Sequence, residues 1–229
     1  MSVNGLWLND LPYYFRSCLP GALLISLCVV TILIIAIRSS LEIKKGDKRG
    51  TESGMNGDET ILWIARANND ETLRMRKDSK ASKGLCEYEK QTGAIVMHPS
   101  FSRRTTVTTT ALVAKAYAEK FLYVEGSRVE DIRCYTRQYF LWVYKAIAIL
   151  VMVGVFLQLG IGSYGTLLIA IGGLVFPILL LGIIPAIISS KELTERAISE
   201  LRFCGILYEN EEPEIRKIIA RRYLHQCIL

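Results

Sequence analysis

The sequence is poor in the residues that build metal and redox sites. Among its 229 residues there are only two histidines, His98 and His225, so a site made of several histidines is excluded. Six cysteines are present, but no two are spaced as CxxC, which favours structural thiols over a metal or redox centre. The phosphate-binding motif GxxxxGK[ST] and the serine-hydrolase motif GxSxG are both absent. No cofactor is therefore predicted.

Charge is missing from two long stretches, although 22% of the chain is charged and the formal net charge is +6. The first stretch covers residues 19–37, and its length predicts a transmembrane helix, because a bilayer core needs about 20 apolar residues. A cleaved signal peptide is the alternative. The second stretch, residues 146–190, is too long for one span. It predicts a transmembrane hairpin over 140–188, with a glycine-rich turn at 159–165.

The lysines and arginines indicate which side of the membrane each segment would occupy. Before the first predicted span there is only Arg16, and the hairpin turn has no basic residue. The positive-inside tendency then predicts an outer N-terminus, with the central region and the C-terminus in a bacterial cytoplasm or a mitochondrial matrix. The predicted domains are an outer tail (1–18), a first span (19–37), an inner domain (38–138), a hairpin (140–188) and C-terminal amphipathic helices (191–229).

The polar regions contain several predicted elements. Residues 38–58 are interpreted as a basic linker, and residues 59–69 as a helix with Asp58 as its N-cap. A short strand is predicted at 93–97, and further helices at 109–124, 191–203 and 213–225. Basic residues of the linker and the last helix are candidate contacts for anionic lipids: Lys44, Lys45, Lys48, Arg49, Arg216, Lys217, Arg221 and Arg222. The topology explains the positive balance, and no nucleic-acid partner is predicted.

The order of these features resembles one enzyme family. The chain reads SGMNGDE at 53–59, has Tyr88 before the predicted strand, reads ALVAKAYAEKFLYVEGS at 111–127 and GIL at 205–207. This resembles the YugP-like membrane zinc metallopeptidases, which have SGMTGxE after the first span and AVAAHEVGHAxQxxEGY on a later helix. Ungapped, Glu125 and Gly126 fall on the Glu-Gly pair of the family, and Arg133 falls on a later arginine. The resemblance implies a mainly α membrane protein with three transmembrane helices and a small α(+β) metallopeptidase-like domain.

The chain departs from the family at the catalytic motif itself. In HExxH, two histidines bind zinc and the glutamate activates the metal-bound water. The corresponding segment here is Lys115-Ala116-Tyr117-Ala118-Glu119, which lacks both histidines and the base. The third ligand of the family would fall near Ser190. The resemblance therefore implies a pseudoenzyme with no bound metal.

Lys115 and Glu119 are four residues apart on the predicted helix, so they could form a salt bridge in place of the zinc. An exposed pair of this kind adds only ~0.3–0.5 kcal/mol. The alternative is that both side chains face water.

The leading functional hypothesis is a structural or accessory subunit of a membrane protein complex, by analogy a supernumerary subunit of a respiratory assembly in the mitochondrial inner membrane. A bacterial plasma membrane is the alternative location. An enzymatic alternative is a membrane-bound hydrolase with ligands from His98, Glu119, Glu192 or a cysteine. A transporter or channel is disfavoured, because the predicted spans lack the charged residues that ion paths use.

Overall fold

A computed structural model describes residues 30, 33–80, 86–161 and 163–228. Over these residues the fold is mainly helical, with seven helices and one small sheet. The helices are α1 (33–48), α2 (Gly57–Ala67), α3 (Pro99–Ser102), α4 (Val107–Val124), α5 (Val129–Ile161), α6 (Ser163–Phe203) and α7 (Glu212–Ile228). The strands are β1 (Arg74–Lys77), β2 (Cys86–Glu89) and β3 (Ala94–Met97).

The membrane part of the predicted fold class is wrong. In the part of the chain that the structure describes, no helix combines the length with the apolar character that a bilayer crossing requires. This finding overturns the predicted hairpin over 140–188, the three-span topology and the integral membrane location in either compartment. The outer tail at 1–18 lies outside the described residues, as does the segment 19–37 apart from residue 30 and residues 33–37.

The chain forms two compact units. One contains residues 135–185 of the described chain together with residues 30 and 33–34, and the other contains 35–134 and 186–227. The second unit holds the sheet, α2, α3, α4 and α7, together with the last part of α6. The C-terminal residues thus fold with the central region, and every candidate site residue lies in this unit.

The sheet has the strand order β1-β3-β2. Strand β3 pairs in parallel with β1 and antiparallel with β2, so it is the central strand, and all four of its residues are buried. The prediction of a strand at 93–97 is confirmed. The sequence signal for β1 was absent, because all four residues of Arg74–Lys77 are exposed and show no alternation of apolar and polar positions.

Helix α4 is the central element of this unit. It packs against α2, β2 and β3, and its side chains are buried from Val107 to Lys120. The burial of this helix is not limited to apolar residues: Val124 is exposed, whereas Thr108, Thr109 and Thr110 are buried. Thr106 caps the helix, since its side chain accepts a hydrogen bond from the backbone N–H of Thr109. The threonine-rich start is thus the first turn of a buried helix.

Four other helices correct or confirm the predictions. Residues 33–48 are helical, so most of the predicted linker at 38–58 is wrong. The N-cap of α2 is Asn56, two residues before the predicted Asp58, because Asn56 and Glu59 form a capping box. The predicted amphipathic character of the C-terminal helices is confirmed, since each helix buries one set of apolar residues: Leu193, Ala197, Ile198, Leu201, Ile215, Ile218, Ile219 and Tyr223.

Gly46 sets how closely α1 approaches its neighbours. A Cβ at this position would lie 2.5 Å from Oγ1 of Thr108 and 2.8 Å from Cδ1 of Ile218. The Thr108 hydroxyl cannot easily move away, because it is buried and donates a hydrogen bond of 2.9 Å to the carbonyl of Ile43. A side chain at position 46 would therefore force α1 away from α4 and α7.

We expect Gly46→Ala to lower the free energy of unfolding by up to ~2 kcal/mol. Alanine gains ~1 kcal/mol over glycine from helix propensity, but overpacking a tight contact costs roughly 1–3 kcal/mol. Urea unfolding measures the change, and Ser40→Ala at an exposed position of α1 is the control. A stabilised Gly46→Ala variant would contradict the close approach.

Candidate functional site

The positions that correspond to the metallopeptidase motif lie on α4 inside the protein. Lys115 is 0% exposed and Glu119 is 5% exposed, and Ala116 is fully buried beside them. A charged side chain is almost never fully buried without a partner, because the loss of hydration costs several kcal/mol. The surroundings of Lys115 and Glu119 must therefore supply the compensation.

Lys115 and Glu119 form the salt bridge that their spacing allows. Nζ of Lys115 lies 2.6 Å from Oε1 of Glu119, and both side chains are buried. The alternative in which both face water is wrong. Arg133 of α5 also donates from Nη1 to the same oxygen, over 3.0 Å. We call these three residues the 115–119–133 cluster. It holds two formal positive charges on one carboxylate.

The carboxylate of Glu119 is not fully satisfied. Its second oxygen, Oε2, is buried and has no hydrogen-bond partner within the described residues. A buried oxygen of this kind makes the cations more important, because their charge is what keeps the carboxylate in the interior. The resemblance singled out Arg133, but the sequence did not predict its contact with Glu119, which arises from tertiary packing.

The charges of Lys115 and Glu119 affect the pKa of Cys86 in β2. Burial raises the pKa of the Cys86 thiol far above its ordinary value, and the positive charge of Lys115 offsets only part of this rise. The thiol is thus held in its neutral form, which is neither a metal ligand nor a nucleophile. Cys86 and Cys204 are both free thiols.

Tyr223 links α7 to the start of α5. The hydroxyl of Tyr223 donates to the backbone carbonyl of Val129 over 2.8 Å, at the start of α5. Burial raises the pKa of this phenol, whereas Ser189 and the charge of Arg133 lower it in part. The phenol is thus neutral and acts as a hydrogen-bond donor that ties α7 to α5.

The other residues proposed as metal ligands make hydrogen bonds at separate places in the structure. Ser190, where the third metal ligand would fall, donates from Oγ to the carbonyl of Ala220 over 3.2 Å. Glu192 is exposed and accepts a hydrogen bond of 2.9 Å from Ser127. His98 caps α3 by accepting from the backbone N–H of Ser100. The structure does not bring these side chains together.

No metal site is formed by the described part of the chain. Within it, no group of three or more His, Cys, Asp or Glu side chains is arranged to hold an ion. At the motif positions a single carboxylate remains, and two cations already bind it. Lys115 and Arg133 would repel a divalent cation at the same place.

A second buried cluster on α4 was missed by the sequence analysis. Lys120 forms an ion pair with Asp70, Tyr117 donates to the same carboxylate over 3.2 Å, and Lys120 also contacts Thr72 over 3.1 Å. We call this the 70–117–120 cluster. Its local signal was the Asp-x-Thr turn, in which Asp70 accepts from the backbone and hydroxyl of Thr72. The partners on α4 are about 50 residues away, so sequence pattern could not connect them.

Most arginines among the candidate lipid contacts already have carboxylate partners. Arg49 pairs with Glu214, Arg221 with Glu42 and Arg222 with Glu87. Arg216 bridges Glu195 and Glu212. By contrast, four lysines of this set are exposed: Lys44, Lys45, Lys48 and Lys217. The arginines mainly hold the C-terminal helix to the rest of its unit.

Comparisons with models of protein families, with curated proteins and with solved structures found no match.

The 115–119–133 cluster predicts strong coupling between two substitutions. Lys115→Met leaves a buried carboxylate with one cation fewer, and Glu119→Gln leaves a buried ammonium without its anion. Each single change should cost about 3–5 kcal/mol, and the double variant should lose at least ~1 kcal/mol less than the sum of the two. Urea unfolding of the four proteins measures this. Additive losses would contradict a buried bridge.

The matched control is the exposed pair of Lys77 and Asp58. Its Nζ and Oδ2 atoms are also 2.6 Å apart, but the side chains are 48% and 26% exposed. Because exposed ion pairs contribute only ~0–1 kcal/mol, Lys77→Met should change the free energy of unfolding by no more than that.

The 70–117–120 cluster predicts a pH dependence of stability. Burial alone would raise the pKa of Asp70, but its hydrogen bonds to Lys120 and Thr72 outweigh this and hold the pKa below its ordinary value. The resulting stability is fully present above about pH 4, the ordinary range of an aspartate, and is lost as the pH falls through the lowered folded-state pKa. Asp70→Asn should remove this acid-labile contribution, which urea unfolding between about pH 2 and 6 would show.

Glu71→Gln, at an exposed neighbouring position, is the control for this measurement. The two proteins should differ in how steeply stability falls below about pH 4. Equal acid dependence in Asp70→Asn and the unmodified protein would contradict the role of the Asp70 carboxylate.

Proposed function

We propose that this chain is a catalytically inactive, metallopeptidase-like protein that serves as a structural or accessory subunit of a larger protein assembly. The observation that carries the proposal is the 115–119–133 cluster. It places an ammonium and a guanidinium on the carboxylate at the helix positions where the resembled enzymes hold zinc.

The chemistry at these positions supports a loss of hydrolysis. Zinc hydrolases need several neutral or anionic ligands and a base for the metal-bound water. Here the methyl side chain of Ala116 cannot act as a base, and Lys115 brings a positive charge. The Cys86 thiol stays neutral because burial raises its pKa. Glu119 is buried and already holds two cations, so no open position for a water or a substrate remains at its bound oxygen.

A role in an assembly is supported by exposed aromatic surface on the same unit. Trp63 of α2 is 46% exposed, and its indole N–H donates to the carbonyl of Cys204 over 3.0 Å. Phe203, the residue before Cys204, is 70% exposed. Tryptophan and phenylalanine are enriched at protein interfaces, where their large apolar area is removed from water. We therefore place a partner contact at Trp63 and Phe203.

Metal analysis of the purified full chain tests the catalytic part of the proposal. We expect substoichiometric zinc and the same melting temperature with added zinc or a chelator. A site saturated at 100 times its dissociation constant would instead stabilise the fold by about 2.7 kcal/mol. Stoichiometric zinc with chelator-sensitive peptide hydrolysis would replace the proposal with a hydrolase that uses unusual ligands.

Affinity purification tests the assembly part. The full chain, tagged in its native host and purified gently, should bring a fixed set of proteins in constant ratio. Phe203→Glu should lose that set while keeping its melting temperature, because the side chain is exposed. Val124→Glu is the matched control, since Val124 is 72% exposed at the end of another helix. A chain that purifies alone as a monomer would contradict the proposal.

A further inference from the structure

A groove of about 360 Å³ lies between the last part of α6 and α7. All of its lining belongs to the second unit: Ile187, Ser190, Lys191, Thr194, Glu195, Arg216, Lys217, Ala220, Arg221 and Leu224. Binding sites for small molecules have volumes of about 300–1,000 Å³. The groove is therefore large enough for a small ligand.

The two helices run antiparallel along the groove, and this gives it two different ends. At one end Arg216 pairs with Glu195 over 2.5 Å, and further along Ser190 contacts Ala220. Following the same register, Ile187 and Leu224 form the opposite end. The groove thus has apolar side chains at one end and the pair of Glu195 and Arg216 at the other, and Lys191 and Arg221 lie between the two ends.

The charge of the groove is positive and only partly compensated. Its lining has four cationic side chains and one carboxylate, and Arg216 and Arg221 are already paired with glutamates. Lys191 and Lys217 are exposed, and neither forms an ion pair with any residue that the structure describes. These two ammonium groups remain for an anion.

The size of the groove decides between a small ligand and a protein partner. From Ile187 to Glu195 it follows α6 for only nine residues, whose eight steps span ~12 Å at the rise of an α-helix. Stable protein interfaces bury roughly 1,200–2,000 Å², far more than two helical turns supply. A ligand with an apolar chain and one anionic group matches the length of the groove, its apolar end and its two exposed lysines.

We propose that the groove binds a single-chain anionic amphiphile, with its phosphate or carboxylate group at Lys191 and Lys217 and its chain along Ile187 and Leu224. The apolar end removes the chain from water, and the two lysines supply opposite charge to the head group. This site is independent of the 115–119–133 cluster and of the partner contact at Trp63 and Phe203.

Isothermal titration calorimetry with decyl phosphate, below its critical micelle concentration, tests the site on the full chain. Lys191→Gln with Lys217→Gln should weaken binding by about tenfold or more, and Ile187→Ser should weaken it about threefold or more. Both changes are at exposed positions, so the fold should be retained.

Two matched controls separate the site from general effects. Lys44→Gln with Lys45→Gln removes the same charge from exposed positions on α1. Ile184→Ser removes the same apolar side chain from a position of α6 that is 52% exposed, as Ile187 is. Both controls should bind within about twofold of the unmodified protein.

Two further probes decide what the groove recognises. Inorganic phosphate should bind at least about tenfold more weakly than decyl phosphate, because it lacks the chain. Equal affinity would show a site for a free anion and would overturn the proposal. Equal binding of decyltrimethylammonium would show unspecific apolar binding and would also overturn it. No binding of decyl phosphate, or binding that the lysine variants leave unchanged, would do the same.

Discussion

The buried carboxylate of Glu119 is the constraint on which the central unit depends. A carboxylate inside a protein is tolerated only with opposite charge beside it, and here Lys115 and Arg133 supply that charge from two helices. Because Lys115 is 0% exposed, its ammonium has no route to solvent that avoids unpacking α4. The ion cluster therefore fixes α4 in rotation as well as in position, and it joins the helix to the start of α5.

The opposite side of α4 is held in a comparable way. At 100° per residue, Lys115 and Glu119 lie within ~40° of each other around the helix, whereas Tyr117 and Lys120 lie ~140–200° away from Lys115. Tyr117 and Lys120 bind Asp70, which stands in the turn between α2 and β1. Charged groups thus hold α4 on two sides, and small residues such as Ala114, Ala116 and Ala118 allow its neighbours to approach closely. This explains why a helix with two buried lysines is nonetheless the most buried one in its unit.

Local sequence pattern predicted the elements whose stabilising contacts are local or one-sided. The strand at 93–97 followed from a short apolar run, the C-terminal helices followed from their periodicity, and the i, i+4 spacing of Lys115 and Glu119 allowed their bridge. Its burial could not be predicted, because Arg133 approaches Glu119 only through tertiary packing. The exposed strand β1 and the contact of Lys120 with Asp70 could not be predicted from local sequence pattern either. The long uncharged stretches were interpreted by composition alone, and the predicted membrane topology failed there.

The physical difference between a metal and an ion cluster gives the proposed function its logic. A metal site couples folding to the supply of the ion and needs ligands that have lost their protons. A lysine, an arginine and a glutamate bring opposite charges within the chain itself, so the helix is held without any ion from outside. Under the proposed function, the contact between α4 and α5 is kept without a metal-bound water. Under the proposed function, a subunit needed in fixed amounts gains from this independence, because its folding does not follow the availability of a metal ion.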